Sequence, residues 1–186
     1  MARVKALDPR VTFSELAEWP GDGRRYELYD GEVIVVPAPI PRHQLVSIRL
    51  EEVLRQYQRT AGGLMLHAPL DIVFTEHNVL QPDLVYFRNE RVHLIDMMAA
   101  IHVPPDLAVE ILSRSTEVRD RGRKMQTYAR FGVPEYWIVD PVANTLEMFQ
   151  LDGGSYALHE RPDGDPQLAS ATLPGLTLTP SSIFDA

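Results

Sequence analysis

The sequence contains no cysteine among its 186 residues. That absence excludes disulfide bonds, catalysis by a thiolate, and zinc or iron–sulfur sites with cysteine ligands. The chain also has no excess of positive charge, because 18 lysines and arginines stand against 26 aspartates and glutamates, giving a formal net charge of −8. An acidic protein does not bind nucleic acid through its overall charge, so binding to a polyanion would need a local basic patch or a metal ion.

Long apolar runs and familiar nucleotide-binding motifs are missing as well. No stretch approaches the ~20 apolar residues of a membrane span, and the charged residues 1–20 do not resemble a signal peptide. The sequence has neither a GxGxxG nor a GxxxxGKS/T motif for phosphate groups, and no GxSxG turn for a nucleophilic serine. We therefore expect a cytoplasmic protein that makes no use of a membrane.

The patterning that is present predicts an α/β or α+β fold with a mixed sheet. Periodic apolar positions predict one helix over residues 43–58 and another over residues 117–131. Continuous apolar runs at 84–87 and 107–112 indicate central strands covered on both faces. The other predicted elements are a capping-box helix at 12–19, a hairpin at 26–36 turning at Asp30-Gly31, strands at 64–67, 70–74 and 135–140, a terminal hairpin at 145–160 and a helical turn at 180–186.

Two carboxylates interrupt this pattern of buried strands. Glu110 shares a strand face with Ala108 and Leu112, and a carboxylate there is expensive to bury unless it is paired or binds a metal. Asp83 follows Pro82 at the start of another buried strand. Each has an ordinary explanation, a frayed strand edge for Glu110 and a turn cap for Asp83. If the two meet in space, however, paired carboxylates completed by water suit the hard cations Mg²⁺ and Mn²⁺.

A helical wheel over residues 117–131 turns two cations, Lys124 and Arg121, toward the body of the protein. The apolar side of the wheel consists of Val118, Met125 and Ala129. The opposite arc carries Arg119, Gln126, Arg123 and Arg130. The ordinary alternative for Lys124 is a weak surface pair with Asp120, four residues earlier on the helix.

Positive charge is concentrated in this part of the chain. Residues 110–130 contain six basic and three acidic side chains, a net charge of +3 that leaves −11 for the remainder. A basic segment beside paired carboxylates suits a phosphodiester substrate, although the outer arginines alone indicate only a solvated helix face. Two further residues stay open: His43 could cap its helix, act as a base or contact phosphate, and Glu27 could be a third acidic site residue or an outward hairpin position.

Several motifs stand in a fixed order from about residue 12 to the C-terminus. They are Tyr26-Glu27-Leu28 with Asp30-Gly31-Glu32, then His43, Pro82-Asp83-Leu84-Val85, the segment 105–113 with Ser115-Thr116, then Asp120, Lys124 and Tyr128, and finally the segment 132–141. This set resembles the Uma family of bacterial proteins, which is grouped with restriction endonucleases in the PD-(D/E)xK nuclease superfamily. The resemblance implies a restriction-endonuclease-like core, with a mixed central β-sheet flanked by a few helices.

The resemblance also implies roles for individual residues. The matched positions are Asp83 for the aspartate of the PD motif, Glu110 for the second acidic ligand, Glu27 for the extra glutamate and His43 for the family's histidine. The superfamily's lysine normally lies two residues after the second acid, where this chain has Leu112. The resemblance therefore implies that Lys124, on the following helix, takes its place.

The predicted function is a Mg²⁺- or Mn²⁺-dependent endonuclease that hydrolyses DNA phosphodiester bonds. Asp83 and Glu110 would hold the metal, and Glu27 is the candidate for a third ligand. Lys124 would stabilise developing charge or orient the attacking water. His43 and Arg121 would contact the substrate. One alternative is a catalytically silent module that keeps the fold and binds nucleic acid or protein, and another is a small-molecule hydrolase that uses the same metal site.

The predicted organisation is a single domain over residues 1–186. It consists of an N-terminal helix and hairpin at about 12–36, a nuclease core at about 42–141, and a C-terminal hairpin and tail at about 144–186. Because cleavage of a duplex needs two sites, we also expect a two-fold homodimer, with Tyr136-Trp137 and the terminal hairpin as its apolar surface.

Overall fold

A computed structural model describes residues 10–185 of the chain. Two parts of the chain lie outside the described residues. They are residues 1–9, which belong to the segment compared with a signal peptide, and residue 186, which belongs to the predicted C-terminal turn. The helices are α1 (Phe13–Ala17), α2 (Pro41–Ala61), a 3₁₀-helix (Asn89–Leu94), α3 (Glu117–Arg119), a π-helical turn (Asp120–Lys124), α4 (Met125–Arg130) and α5 (Pro180–Phe184). The strands are β1 (Arg25–Tyr29), β2 (Glu32–Val36), β3 (Leu64–His67), β4 (Ile72–Thr75), β5 (Asn78–Leu80), β6 (Leu84–Phe87), β7 (Leu107–Ile111), β8 (Glu135–Asp140), β9 (Thr145–Asp152), β10 (Ser155–Glu160), β11 (Leu168–Ala169) and β12 (Thr177–Leu178).

A mixed six-stranded sheet, in the order β10-β9-β8-β7-β6-β3, forms the centre of the fold. Its strands pair antiparallel except for β7 and β8, which are parallel and are connected through α3, the π-helical turn and α4. Every residue of β6 and β7 is buried, as the continuous apolar runs predicted. The mixed sheet with few helices confirms the predicted fold class.

The two faces of the central strands pack against different partners. Leu107, Val109 and Ile111 of β7 face α2 and the C-terminal segment. Ala108 and the neighbouring Leu112 face the other way, toward α4 and part of a second sheet. Glu110 lies on this second face, because side chains alternate along a strand.

The second sheet has four antiparallel strands in the order β2-β1-β5-β4. Strands β1 and β2 form the predicted hairpin, whose turn residues Asp30 and Gly31 have φ angles of 50° and 85°. Such positive values at both positions favour Asp-Gly in a two-residue hairpin turn. Strand β5 had no counterpart in the predicted elements, and it joins this hairpin to β4.

The helical segment 117–130 differs from the ideal helix on which the wheel was drawn. The turn at Asp120–Lys124 is π-helical and holds about one residue more than an α-helical turn. The residues before it are therefore rotated by ~100° about the helix axis relative to those after it. Val118, placed on the inward side, is 89% exposed, and Arg119, placed on the outward arc, has a side chain only 17% exposed. The wheel was therefore wrong for both residues.

The fully buried positions of Tyr136 and Trp137 correct a second expectation. Both side chains belong to the packed faces of β8, so they provide no apolar surface for a dimer. The dimer itself stays a prediction, as does the division into a single domain. Among residues 10–185, no helix combines the length and the apolar character needed to cross a membrane.

Candidate active site

Three of the predicted site residues meet around one buried ammonium group. Lys124 Nζ lies 2.8 Å from Glu27 Oε1, 2.8 Å from Glu110 Oε2, and donates to the carbonyl oxygen of Gln81 at 3.1 Å. The Lys124 side chain is only 3% exposed. The alternative of a weak surface pair with Asp120 is therefore wrong.

Each of these groups comes from a different element. Glu27 stands in β1 of the second sheet, Glu110 in β7 of the central sheet, Lys124 at the end of the π-helical turn, and Gln81 in the link between β5 and β6. The ammonium group thus joins both sheets to the helical segment between β7 and β8.

Two tyrosines complete the hydrogen bonding of the glutamates. Tyr128, one helical turn after Lys124, donates its hydroxyl to Glu110 Oε1 at 2.8 Å. Tyr29 donates its hydroxyl to Glu27 Oε2 at 2.9 Å, and the backbone N–H of Gln81 donates to Glu27 Oε1 at 2.9 Å. Both oxygens of each glutamate are therefore bonded, which offsets much of the cost of burying them.

Burial shapes the protonation of this cluster. Removal from water raises the pKa of the Glu110 carboxyl well above its usual range, even though the Lys124 ammonium acts in the opposite direction. Burial would lower the pKa of Lys124, but the carboxylates of Glu110 and Glu27 outweigh it and raise that pKa well above its usual value. The two carboxylate oxygens at 2.8 Å thus favour the charged form of Lys124.

Asp83 lies at the mouth of the cluster. Its side chain is 18% exposed, which makes it the most accessible of the three carboxylates predicted for the site. Its Oδ2 atom accepts a hydrogen bond from the backbone N–H of Ile111 at 2.7 Å and lies 3.2 Å from His43 Nε2. Its Oδ1 atom makes no hydrogen bond within residues 10–185. His43 is not the helix cap, because Ile40 holds that position in α2.

Arg119 and Asp120 join the site although the sequence did not single them out for it. Arg119 Nε lies 3.7 Å from Glu27 Oε2 and 3.9 Å from Asp120 Oδ1. Asp120 is buried, which raises the pKa of its carboxyl. The i,i+4 spacing of Asp120 and Lys124 was the sequence feature that could have indicated Asp120. Arg119 could not be placed in the same way, because a wheel assumes a regular α-helix and the π-helical turn departs from one.

Arg121 lies outside this cluster. Its guanidinium group pairs with Glu147 of β9 and lies 3.3 Å from Glu117 Oε1. Arg123 and Arg130 are likewise paired, with Glu32 and Asp30 of the β1–β2 hairpin. The positive charge of the segment is thus largely matched by acidic residues from neighbouring elements.

Asp83, Glu110 and Lys124 line a small cleft with a volume of about 40 Å³, whereas Glu27 contacts Lys124 without lining the cleft itself. A cavity needs ~10–15 Å³ of such volume to hold one water molecule, so the cleft has room for a few. It adjoins a larger groove of about 540 Å³ beside α2, and the two share Arg25, Pro39, His43 and Asp83. A larger ligand would therefore reach Asp83 from the groove.

A solved structure shares this fold. The crystal structure of a protein from Anabaena variabilis ATCC 29413, titled a "putative nuclease belonging to DUF820", matches with a TM-score of 0.75. The match covers 94% of this chain and 97% of the other at 19% sequence identity, which shows a common nuclease-like fold.

The chain belongs to the Uma2 family, described as "Putative restriction endonuclease", whose model matches residues 13–181. A relative named "Uncharacterized protein slr1290", from Synechocystis sp., is 24% identical over 161 residues, covering 84% of this chain and 78% of that protein. The family predicted from the motifs is thereby confirmed. The family's description indicates a restriction-endonuclease-like nuclease, a hydrolase acting on nucleic acid.

Proposed function

We propose that this protein is a divalent-metal-dependent endonuclease that hydrolyses DNA phosphodiester bonds. The observation that carries the proposal is that Asp83, Glu110 and Lys124 meet at one cleft, with Glu27 paired to Lys124, although the four residues are widely separated in sequence. Isolated buried charges are expensive, so a protein with no use for this cluster gains little from keeping it.

The residues of the cleft fit a hydrated Mg²⁺ or Mn²⁺ ion better than a fully protein-bound one. Within residues 10–185, no group of three or more histidine, aspartate or glutamate side chains is arranged to hold a metal ion. Mg²⁺, however, keeps several water ligands and binds through one or two carboxylates together with substrate phosphate. Asp83, with its free Oδ1 atom, and Glu110 would hold such an ion, and the cleft has room for its water.

A bound metal would polarise a phosphoryl oxygen and lower the pKa of a water molecule. The remaining tasks fall to the protein's own groups. The N–H of Ile111 fixes the orientation of the Asp83 carboxylate, and Tyr128 fixes that of Glu110. Lys124 maintains positive charge beside Glu110, and His43, in contact with Asp83, faces the groove through which a substrate would enter.

The experiment is a cleavage assay on plasmid and on labelled oligonucleotides, with Mg²⁺ or Mn²⁺ and with chelator. We expect metal-dependent cleavage that is lost in Asp83→Asn. A matched control is Asp163→Asn, on the exposed loop after β10, which should cleave normally.

A second candidate is a silent module that retains the fold, and the small volume of the cleft favours it. The same assay separates the two functions. Binding of oligonucleotide without cleavage under any of these metal conditions would identify the silent module and contradict the endonuclease.

A further inference from the structure

The buried ammonium group of Lys124 has no hydrogen-bond donor to spare. An ammonium group carries three N–H donors, and those of Lys124 meet Glu27 Oε1, Glu110 Oε2 and the carbonyl oxygen of Gln81. A substrate phosphate could bind Lys124 only by displacing one of these partners. Direct contact with phosphate therefore needs another cation.

Arg119 is a cation at this cleft whose donors remain available, and it lies beside the acidic cluster. Arg25, which also lines the cleft, donates one hydrogen bond to the carbonyl oxygen of Pro37. The Nε atom of Arg119 is buried and has no hydrogen-bond partner. Its two terminal nitrogens donate no hydrogen bond to any group in the described part of the chain. By contrast, the next arginines on the segment, Arg121, Arg123 and Arg130, donate to carboxylates of neighbouring elements.

The surroundings of Arg119 orient the guanidinium group without using up its donors. Glu27 Oε2 and Asp120 Oδ1 lie 3.7 and 3.9 Å from Nε, within ion-pair distance but without a hydrogen bond. The side chain lines the cleft together with Asp83 and Glu110 and is 17% exposed. A guanidinium fork held in this way can present two parallel N–H groups to the oxygens of a phosphate.

We propose that Arg119 binds the non-bridging oxygens of the phosphodiester in this cleft, while Lys124 is a positioning residue that holds Glu27 and Glu110. The inference rests on the proposed nuclease function and assigns its substrate contact. The π-helical turn makes the arrangement feasible, because it rotates Arg119 to the face that carries Lys124. The rest of the nucleic acid would lie in the adjoining groove, where Arg25 stands at the junction with the cleft.

The structural alternative is that Arg119 only neutralises the charges of Glu27 and Asp120. Binding of a fluorescein-labelled oligodeoxynucleotide distinguishes the two roles, measured by anisotropy over a range of salt concentrations with Ca²⁺ as the cation. We expect Arg119→Gln to weaken binding about tenfold and to reduce the slope of log affinity against log salt by about one, as for one lost phosphate contact. Arg119→Lys should recover the slope but only part of the affinity, because lysine keeps the charge and lacks the fork.

The matched control is Arg123→Gln, which removes an arginine from the same segment outside the cleft and should leave both quantities unchanged. An Arg119→Gln protein with a lowered unfolding temperature but wild-type affinity and slope would assign Arg119 the structural role and overturn the inference. An equal loss in Arg123→Gln would overturn it too, since the effect would then be one of general charge. If the wild-type protein neither binds nor cleaves DNA, the nuclease proposal fails as well. If the wild-type protein binds DNA but Arg119→Gln binds it with the same affinity and slope, only the Arg119 contact is refuted.

Discussion

At the scale of single residues, Lys124 shows how a buried cation can be stable. Its ammonium group is almost wholly removed from bulk water, and it exchanges that solvation for two carboxylates and one carbonyl oxygen. Both glutamates depend on it in turn, because each is buried beside it. Removing one partner of such a group is therefore costlier than removing a surface charge.

We predict that Lys124→Met lowers the free energy of unfolding by about 3–5 kcal/mol, because it leaves two buried carboxylates without their cation. Urea denaturation followed by circular dichroism measures this quantity. Adding Glu27→Gln to the Lys124→Met protein should restore part of the loss, since one of the unpaired charges is then gone.

The matched control is Arg55→Met on α2, which removes a half-exposed i,i+4 pair with Glu51 and should change stability by less than about 1 kcal/mol. A Lys124→Met protein as stable as this control would mean that the glutamates are protonated or hydrated without the lysine. In either case the ammonium group would not be what holds them.

Some of the site residues could be predicted from the sequence and others could not. Glu110 and Asp83 stood out because carboxylates interrupt apolar runs, and their presence at one cleft follows from the pairing of β6 with β7. Gln81 could not be predicted, because it contributes its backbone groups, which every residue possesses. Glu27 was left open since its ionic partners, Lys124 and Arg119, lie far away in sequence.

At the scale of elements, the helical segment between β7 and β8 is where sequence patterning failed. A wheel assumes one angle per residue, whereas the π-helical turn changes that angle within the segment. The wheel also treated Lys124 as a border residue, although it lies with Tyr128 at the centre of the inward face. A charged residue on an inward face carries no hydrophobic signal, so its partner carboxylates have to be known first.

Gly122 offers a test within this turn. A methyl group added at its position would meet no atom within 4 Å, and alanine restricts the unfolded chain more than glycine does. We predict that Gly122→Ala raises the free energy of unfolding by about 0.5–1 kcal/mol, measured by urea denaturation.

Gly31→Ala serves as the opposite control, because Gly31 has a φ of 85° in the hairpin turn and a methyl group there would collide with Arg10. It should destabilise the protein. If Gly122→Ala were equally destabilising, the turn would require a glycine at that position.

At the scale of the whole molecule, the predicted order of elements was largely confirmed, whereas the arrangement of the strands in separate sheets was not predicted. Runs such as 84–87 and 107–112 became the central strands, because continuous apolar patterning reports burial on both faces. The separation of the four-stranded sheet from the six-stranded one escaped prediction, since it depends on β5, a strand of three residues that pairs with the distant β1. Short strands carry little periodicity of their own.

Two buried tyrosines and one half-buried tyrosine make stability sensitive to alkaline pH. The hydroxyls of Tyr86, Tyr136 and Tyr156 donate to backbone carbonyl oxygens in other parts of the fold. Burial raises the pKa of Tyr86 to about 12 and also raises the pKa values of Tyr136 and Tyr156. In the unfolded chain a tyrosine titrates near ~10, so above that pH the unfolded state binds fewer protons than the folded state.

We therefore predict that the unfolding temperature falls steadily above pH ~10. Tyrosinate absorbance should rise together with unfolding rather than before it. Tyr86→Phe should lose less stability than the wild type between about pH 10 and 12, because it removes one of the groups that titrate. A protein whose tyrosines ionise while it remains folded would contradict the prediction.

The position of Lys124 between two sheets also has a consequence for synthesis on the ribosome. Glu27 leaves the ribosome about 100 residues before the lysine that neutralises it, and the strand that carries Glu110 comes shortly before Lys124. Contacts over such distances along the chain form late, after much of the polypeptide is available to fold. A nascent chain therefore has the acidic residues of the site but cannot assemble them, so whatever chemistry they perform is withheld until most of the protein has been made.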